Sequence, residues 1–214
     1  MENVFLIVGL GNPGADYAKT RHNAGFSLVE KLAARWKLSW RNERKFKARV
    51  ARGEIVGRAS SPSTGGTPVP RRVLLCQPQT FMNASGEAVK AVMSFYQLPL
   101  KNLLVAVDDA DLPLGEIRLR AEGGSGGHHG LESIEQHLGT QTFARLRLGI
   151  GRQDGAREIT DYVLDHFEKA EAAVMEKVLD RAADQAECWL ADGIEMAMNR
   201  FNGVVDSAIK DKKP

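Results

Sequence analysis

Leu103-Leu104-Val105-Ala106-Val107 is an unbroken apolar run that ends abruptly at Asp108-Asp109-Ala110-Asp111-Leu112-Pro113. Short runs without polar alternation suit a central strand covered on both faces, so this stretch predicts a sheet with helices above and below. Working outward, strand patterns fall at 3–9, 45–56, 72–77, 102–107, 115–120 and 143–151. Helical spacing occupies 25–37, 85–97, 130–138 and about 167–192. Gly193 breaks the last of these, and Ile194 to Phe201 add a further turn or two. Strands alternating with helices predict an α/β fold. No internal repeat is present, and one domain is expected over 1–204, followed by a flexible, lysine-rich tail at 205–214. Residues 57–71, rich in Gly, Ser and Pro, read as a flexible hairpin insertion.

The 214 residues are enough for a substantial core, and 43% hydrophobic with 26% charged residues is ordinary for a soluble globular protein. The formal charge of +2 is close to neutral, so any nucleic-acid contact must come from a local patch. Cys76 and Cys188 sit in apolar patterns and read as small buried hydrophobes rather than a disulfide framework. The chain opens on a strand instead of a signal sequence, and no stretch approaches the roughly 20 apolar residues of a membrane span. A cytoplasmic protein is expected.

Polar residues at the ends of these elements carry the chemistry. His22, in Thr20-Arg21-His22-Asn23 just before a helix, is the candidate general base. Its bland reading is a helix-entry residue bonded to nearby backbone. A base of this kind needs an acceptor on its other nitrogen, and Asp108 at the carboxyl end of the central strand is placed to supply it. Asn12 and Asn83 offer carboxamides, which both donate and accept, for a peptide-like group; Asn83 or Ser85 could equally cap the following helix. The loop Gly123-Gly124-Ser125-Gly126-Gly127-His128-His129-Gly130 reads as a connector, a mobile lid or a backbone nest for an anion.

Gly9-x-Gly11-x-x-Gly14 follows a strand and formally matches the dinucleotide fingerprint, yet Pro13 interrupts it and no helix opens at its glycines. A sharp turn that projects Asn12 is the better reading. Asp108, Asp109 and Asp111 lack the glycine and distal glutamate of a calcium loop, and His128-His129 lack further zinc ligands, so no metal is expected. Arg118 and Arg120 alternate with apolar residues, as do Arg145 and Arg147. Each pair therefore shares one strand face, and adjacent strands would give a guanidinium row suited to phosphates, or simply a solvated sheet face.

Five stretches in order, Val8–Gly14, Tyr17–Gly25, Thr80–Asn83, Asp108–Pro113 and Gly123–Leu131, followed by Phe143–Gly151, resemble the bacterial-type peptidyl-tRNA hydrolase family over about residues 3–200. The resemblance implies a single, usually monomeric α/β domain around a twisted mixed β-sheet flanked by helices. It also implies hydrolysis of the ester joining a peptide to the 3′ ribose of tRNA, recycling tRNA from prematurely released chains without cofactor or metal. By the same likeness His22 is the base and Asp108 its orienting carboxylate, and Asn12 and Asn83 hold the substrate and the developing oxyanion. Tyr17 and Met82 line the peptide end. Arg120 and Arg147 clamp the tRNA acceptor end through its 5′-phosphate, with Arg118 and Arg145 as helpers. Position 129 is His where the family motif usually has Asn, and the 57–71 insertion is a second departure. A non-catalytic RNA-binding relative of the same fold is the competing expectation, and a dinucleotide-dependent enzyme a third.

Overall fold

A computed structural model describes residues 4–56, 70–152 and 158–205. The expected insertion lies outside the described residues except for Pro70 and Arg71, which instead open a strand, and the expected tail lies outside them from residue 206. Among the described residues eight strands, β1 (Val4–Gly9), β2 (Trp40–Glu43), β3 (Ala48–Val56), β4 (Pro70–Pro78), β5 (Leu103–Asp109), β6 (Glu116–Arg120), β7 (Ala144–Gly149) and β8 (Gly203–Val204), form one sheet in the order β2-β3-β4-β1-β5-β7-β6-β8. The inner strands β4, β1, β5 and β7 run parallel, and antiparallel neighbours extend both sides, so the sheet is mixed as expected.

Period-two alternation divides the apolar residues between two cores. Ile7, Leu104, Ala106 and Leu146 face α1 (Ala24–Arg35), α5 (Lys169–Asp192) and α6 (Ile194–Phe201). Leu6, Val8, Val105 and Val107 face α2 (Ser85–Tyr96) and α3 (His129–Leu138). The stretch 103–107 is fully buried, as a strand covered on both faces must be.

Several elements differ from expectation, the two-residue β8 among them. The strand expected from residue 45 begins at Ala48, because Arg44–Phe46 form a 3-10 turn that Lys47 closes in the left-handed region (φ 49°). Before it, β2 carries Trp-Arg-Asn-Glu on an outer edge, where exposed polar residues leave no hydrophobic period to read. The six-residue helix α4 (Ile159–Leu164) is too short for a periodic signal. Gly193 (φ 87°) does separate α5 from α6, and a reciprocal Glu168–Glu171 capping box starts α5.

Gly25 allows the first turn of α1 to lie directly on the end of β1. A Cβ there would sit 2.5 Å from Leu10 N and 2.6 Å from Leu10 O, and would also strike the Ala106 carbonyl. All three obstacles are backbone and cannot rotate away. Gly25→Ala is therefore expected to cost on the order of 3 kcal/mol, seen as a fall in Tm of roughly 10 °C by calorimetry; an unchanged Tm would show that the helix can lift without loss.

Candidate active site

The carboxyl ends of β1, β4, β5 and β7 surround a cleft of about 320 Å³ whose lining includes Asn12, His22, Met82, Asn83, Asp108 and His129. Each arrives by a different route. After β1 the glycine loop turns back, and Gly11 lets the chain pass the Phe26 ring, which a Cβ would overlap. Two 3-10 turns, Ala15–Tyr17 and Arg21–Asn23, follow before α1, so no α-helix opens at the glycines; where the first turn of α1 meets the loop, the Phe26 N–H is taken by Leu10 O (3.1 Å).

Asn23, which the sequence reading left without a role, braces this loop. Its Oδ1 accepts from Asn12 N (2.8 Å) and its Nδ2 donates to Asn12 O (3.0 Å). Asn12 Oδ1 then accepts from Met82 N at 2.8 Å, which fixes the carboxamide and ties the β1 loop to the β4 loop. Neighbouring Arg21 anchors the His22 turn from behind. It pairs with Glu171 at 2.7 Å and lies 4.4 Å from the Tyr162 ring centroid. The cation is thereby buried against an acid and an aromatic face, joining the turn to α4 and α5.

At the floor, His22 Nδ1 lies 3.0 Å from Asp108 Oδ2 and 3.1 Å from Oδ1. A second histidine, His128, reaches the same carboxylate from the other side, with Nε2 3.0 Å from Oδ1. Its Nδ1 accepts from the backbone N–H of Gly130 (3.1 Å) and Leu131 (3.4 Å), so the side chain caps α3. A nitrogen that accepts cannot carry a proton, so Nε2 holds it and donates to Asp108. Burial by itself would push the Asp108 carboxyl up. The neighbouring His22 and His128 outweigh it and hold the group well below the usual carboxylate range. As an anion accepting from both rings, Asp108 fixes His22 with its proton on Nδ1 and the lone pair on Nε2 free.

His22, Asp108 and His128 bring three potential metal ligands within 4.8 Å. Ligation through His128 Nε2 would require the proton on Nδ1, facing two N–H donors. The donor set suits a hydrogen-bond relay better than a cation.

The other expected residues spread around this floor. Asn83 is exposed on the wall and does not cap α2, whose N-cap is Ala84 without a side-chain bond; Ser85 is buried and caps nothing either. Tyr17 stands behind the wall, edge-on to the exposed Phe81 ring at 6.3 Å, and is not itself among the lining residues. His129, 73% exposed, pairs with Glu132 at 3.1 Å.

β6 and β7 pair antiparallel with Arg118 opposite Arg147 and Arg120 opposite Arg145, so the four arginines do form one row. They are not equivalent. Arg147 reaches the cleft, held by Asp109 (3.0 Å) and the Gly124 carbonyl (2.8 Å). Arg120 is exposed, and Arg118 pairs loosely with Glu116. Arg145 departs from the expected helper role. Its side chain is 1% exposed, donates to Glu135, Gly124 O and Gln141 O, and lies 4.3 Å from the Phe143 ring centroid. Alternation gives a residue's face but not the cover that α3 places over it. The carbonyls of Gly124 and Ser125 accept from these guanidinium groups, which ties the glycine loop to β7.

His128 is the principal residue of the cleft floor to which the sequence assigned no part in the His22–Asp108 pair. It was legible only as a histidine beside glycines at a helix mouth, and nothing local shows that the helix start lies against the end of β5.

Residues 6–212 match the family model for peptidyl-tRNA hydrolase. Similar curated proteins include a peptidyl-tRNA hydrolase of a Synechococcus species, 46% identical over 197 residues and covering 92% of this chain and 82% of that protein. Another, from Chloroflexus aggregans, is 47% identical over 200 residues, covering 93% and 99%. The crystal structure of peptidyl-tRNA hydrolase from Acinetobacter baumannii superposes with a TM-score of 0.83 at 37% identity, covering 96% of this chain and 98% of that one. No helix among the described residues is long and apolar enough to cross a membrane.

Proposed function

Since the chain belongs to the peptidyl-tRNA hydrolase family and is a hydrolase of the peptidyl-tRNA ester, we propose that His22 is the general base of that reaction and Asp108 the carboxylate that orients it. The observation that carries this reading is the buried Asp108, accepting from His22 Nδ1 at 3.0 Å in the floor of the cleft. A water beside the free Nε2 loses its proton to His22 as its oxygen attacks the ester carbonyl carbon. The oxyanion that forms is met by the carboxamides of Asn12 and Asn83. Collapse breaks the bond to the 3′ oxygen of the ribose, and the imidazolium returns its proton to that oxygen. Peptide acid and tRNA leave, and no metal or organic cofactor takes part in these steps.

Met82 and Tyr17, the latter through Phe81, shape the peptide side of the cleft, and His129 takes the place of an amide at its rim. Arg147 and Arg120 receive the tRNA acceptor end through phosphate, with Arg118 beside them. The enzyme acts as a monomer in the cytoplasm. Release of N-acetyl-amino acid from N-acetyl-aminoacyl-tRNA tests the activity, and no release by the purified protein would overturn it.

The arginine assignment has its own check. Arg120→Ala is expected to raise KM for tRNA substrates, leave kcat nearly unchanged and lower the slope of log(kcat/KM) against log[salt] by about 1. An unaltered KM and slope would place the phosphate contact elsewhere.

A further inference from the structure

We infer that a second cavity, beyond Asn12 and away from the arginine row, is a subsite for the peptide residues that precede the esterified one. This rests on the reading of the cleft given above. The cavity measures about 460 Å³, within the range of small-ligand sites, and is lined by parts of α1 and the end of β4, among them Glu30, Gln77 and Gln79. Asn12 lines both this cavity and the catalytic cleft, so the two adjoin across one residue.

Sheet order sets the direction. Arg120 and Arg147 lie on β6 and β7, His22 stands over β1 and β5, and the second cavity opens toward β4 on the opposite side. A substrate whose tRNA lies over β6 and β7 and whose ester sits at His22 therefore carries its peptide toward β4. Asn12, braced by Asn23, is the point it must pass.

The lining chemistry agrees with a peptide rather than a second phosphate. Four of its five charged lining residues are paired, Arg49 with Glu30 at 3.0 Å and Lys31 with Glu176 at 2.6 Å, and the fifth, Lys19, is exposed to solvent. Gln77 is buried and fixed by the same group, donating to Glu30 at 3.0 Å and accepting from Arg49 at 2.9 Å. Gln79 is exposed at the rim, and its amide makes only 3.4 Å bonds to the carbonyls of Gln77 and Pro78. Such an amide can exchange those long bonds for a peptide N–H and C=O. Main-chain recognition lets a subsite accept peptides of differing sequence, because the main chain is the part they share.

Gln79 can be changed without touching the catalytic floor, and its backbone bond to Lys47 O does not depend on its side chain. Wild type, Gln79→Ala and Gln79→Trp are compared on tRNA carrying a single N-acetylated residue and on tRNA carrying an N-acetylated tetrapeptide. Gln79→Ala should lower kcat/KM for the tetrapeptide substrate about fivefold, the worth of one neutral hydrogen bond. Gln79→Trp, which fills the rim, should lower it further, and both should leave the single-residue substrate within about twofold. Equal losses on both substrates, or no loss on either, would overturn the subsite. Failure of the wild type to cut the single-residue substrate would instead count against the catalytic reading. In that event a free N-acetylated tetrapeptide decides the subsite: it should shift the side-chain amide NMR signals of Gln77 and Gln79, and unshifted signals would overturn it.

Discussion

Replacing His22 with alanine is expected to lower kcat on N-acetyl-aminoacyl-tRNA by roughly 10³-fold, with KM little changed. A base that takes its proton only as the water attacks contributes to the transition state and not to the bound ester, so its loss appears in kcat. The side chain is 12% exposed and its main polar partner is Asp108, so the turn should survive. Arg21, Asn23 and the backbone bond from Arg21 N to Asp165 O (3.0 Å) hold it independently. Thermal melting of the variant near the wild-type Tm would separate lost chemistry from lost structure. Equal kcat for the two proteins would remove His22 from the mechanism.

Asp108→Asn should be nearly as damaging, by roughly 10²–10⁴-fold, although it preserves the shape of the side chain. Asp108 accepts from two rings, and His128 can only donate to it because its other nitrogen already accepts from Gly130 and Leu131. An asparagine there turns its oxygen toward His128 and its NH2 toward His22. His22 Nδ1 must then accept, the proton moves to Nε2, and no lone pair faces the water. The same substitution should change acid stability. The folded-state pKa of Asp108 is held below its unfolded value, so its contribution is present above about pH 4 and is lost as pH falls further toward the folded-state value. Asp108→Asn should therefore flatten the decline of Tm at acid pH while being less stable near neutrality. A kcat close to that of wild type would show that the carboxylate does not set the tautomer.

Much of the fold was legible because its inner strands are short and apolar. The unbroken run 103–107 and the helical stripe of α1 are both patterns that burial dictates. The edge strand β2, the six-residue α4 and the two-residue β8 carried no such signal, since exposed or very short elements need no hydrophobic period. At the site, His22 and Asp108 stood out as polar residues at element ends, and the structure brings them together across 86 positions of sequence. His128 and Asn23 did not stand out. Their importance lies in which atoms they orient, and that depends on α3 docking at the end of β5 and on the return of the β1 loop. Arg145 was misplaced for a related reason: two-residue alternation shows that it shares a face with Arg147, but not that α3 and Phe143 cover it.

A single turnover in H₂¹⁸O tests the central claim most directly. With enzyme in excess over N-acetyl-aminoacyl-tRNA, the released acid should carry one ¹⁸O in its carboxylate and the tRNA 3′ hydroxyl none, because a water activated by His22 attacks the carbonyl carbon. Unlabelled acid in that first turnover would contradict the account: label in the tRNA would mean attack at the ribose carbon, and label in neither product an attacking oxygen from the protein.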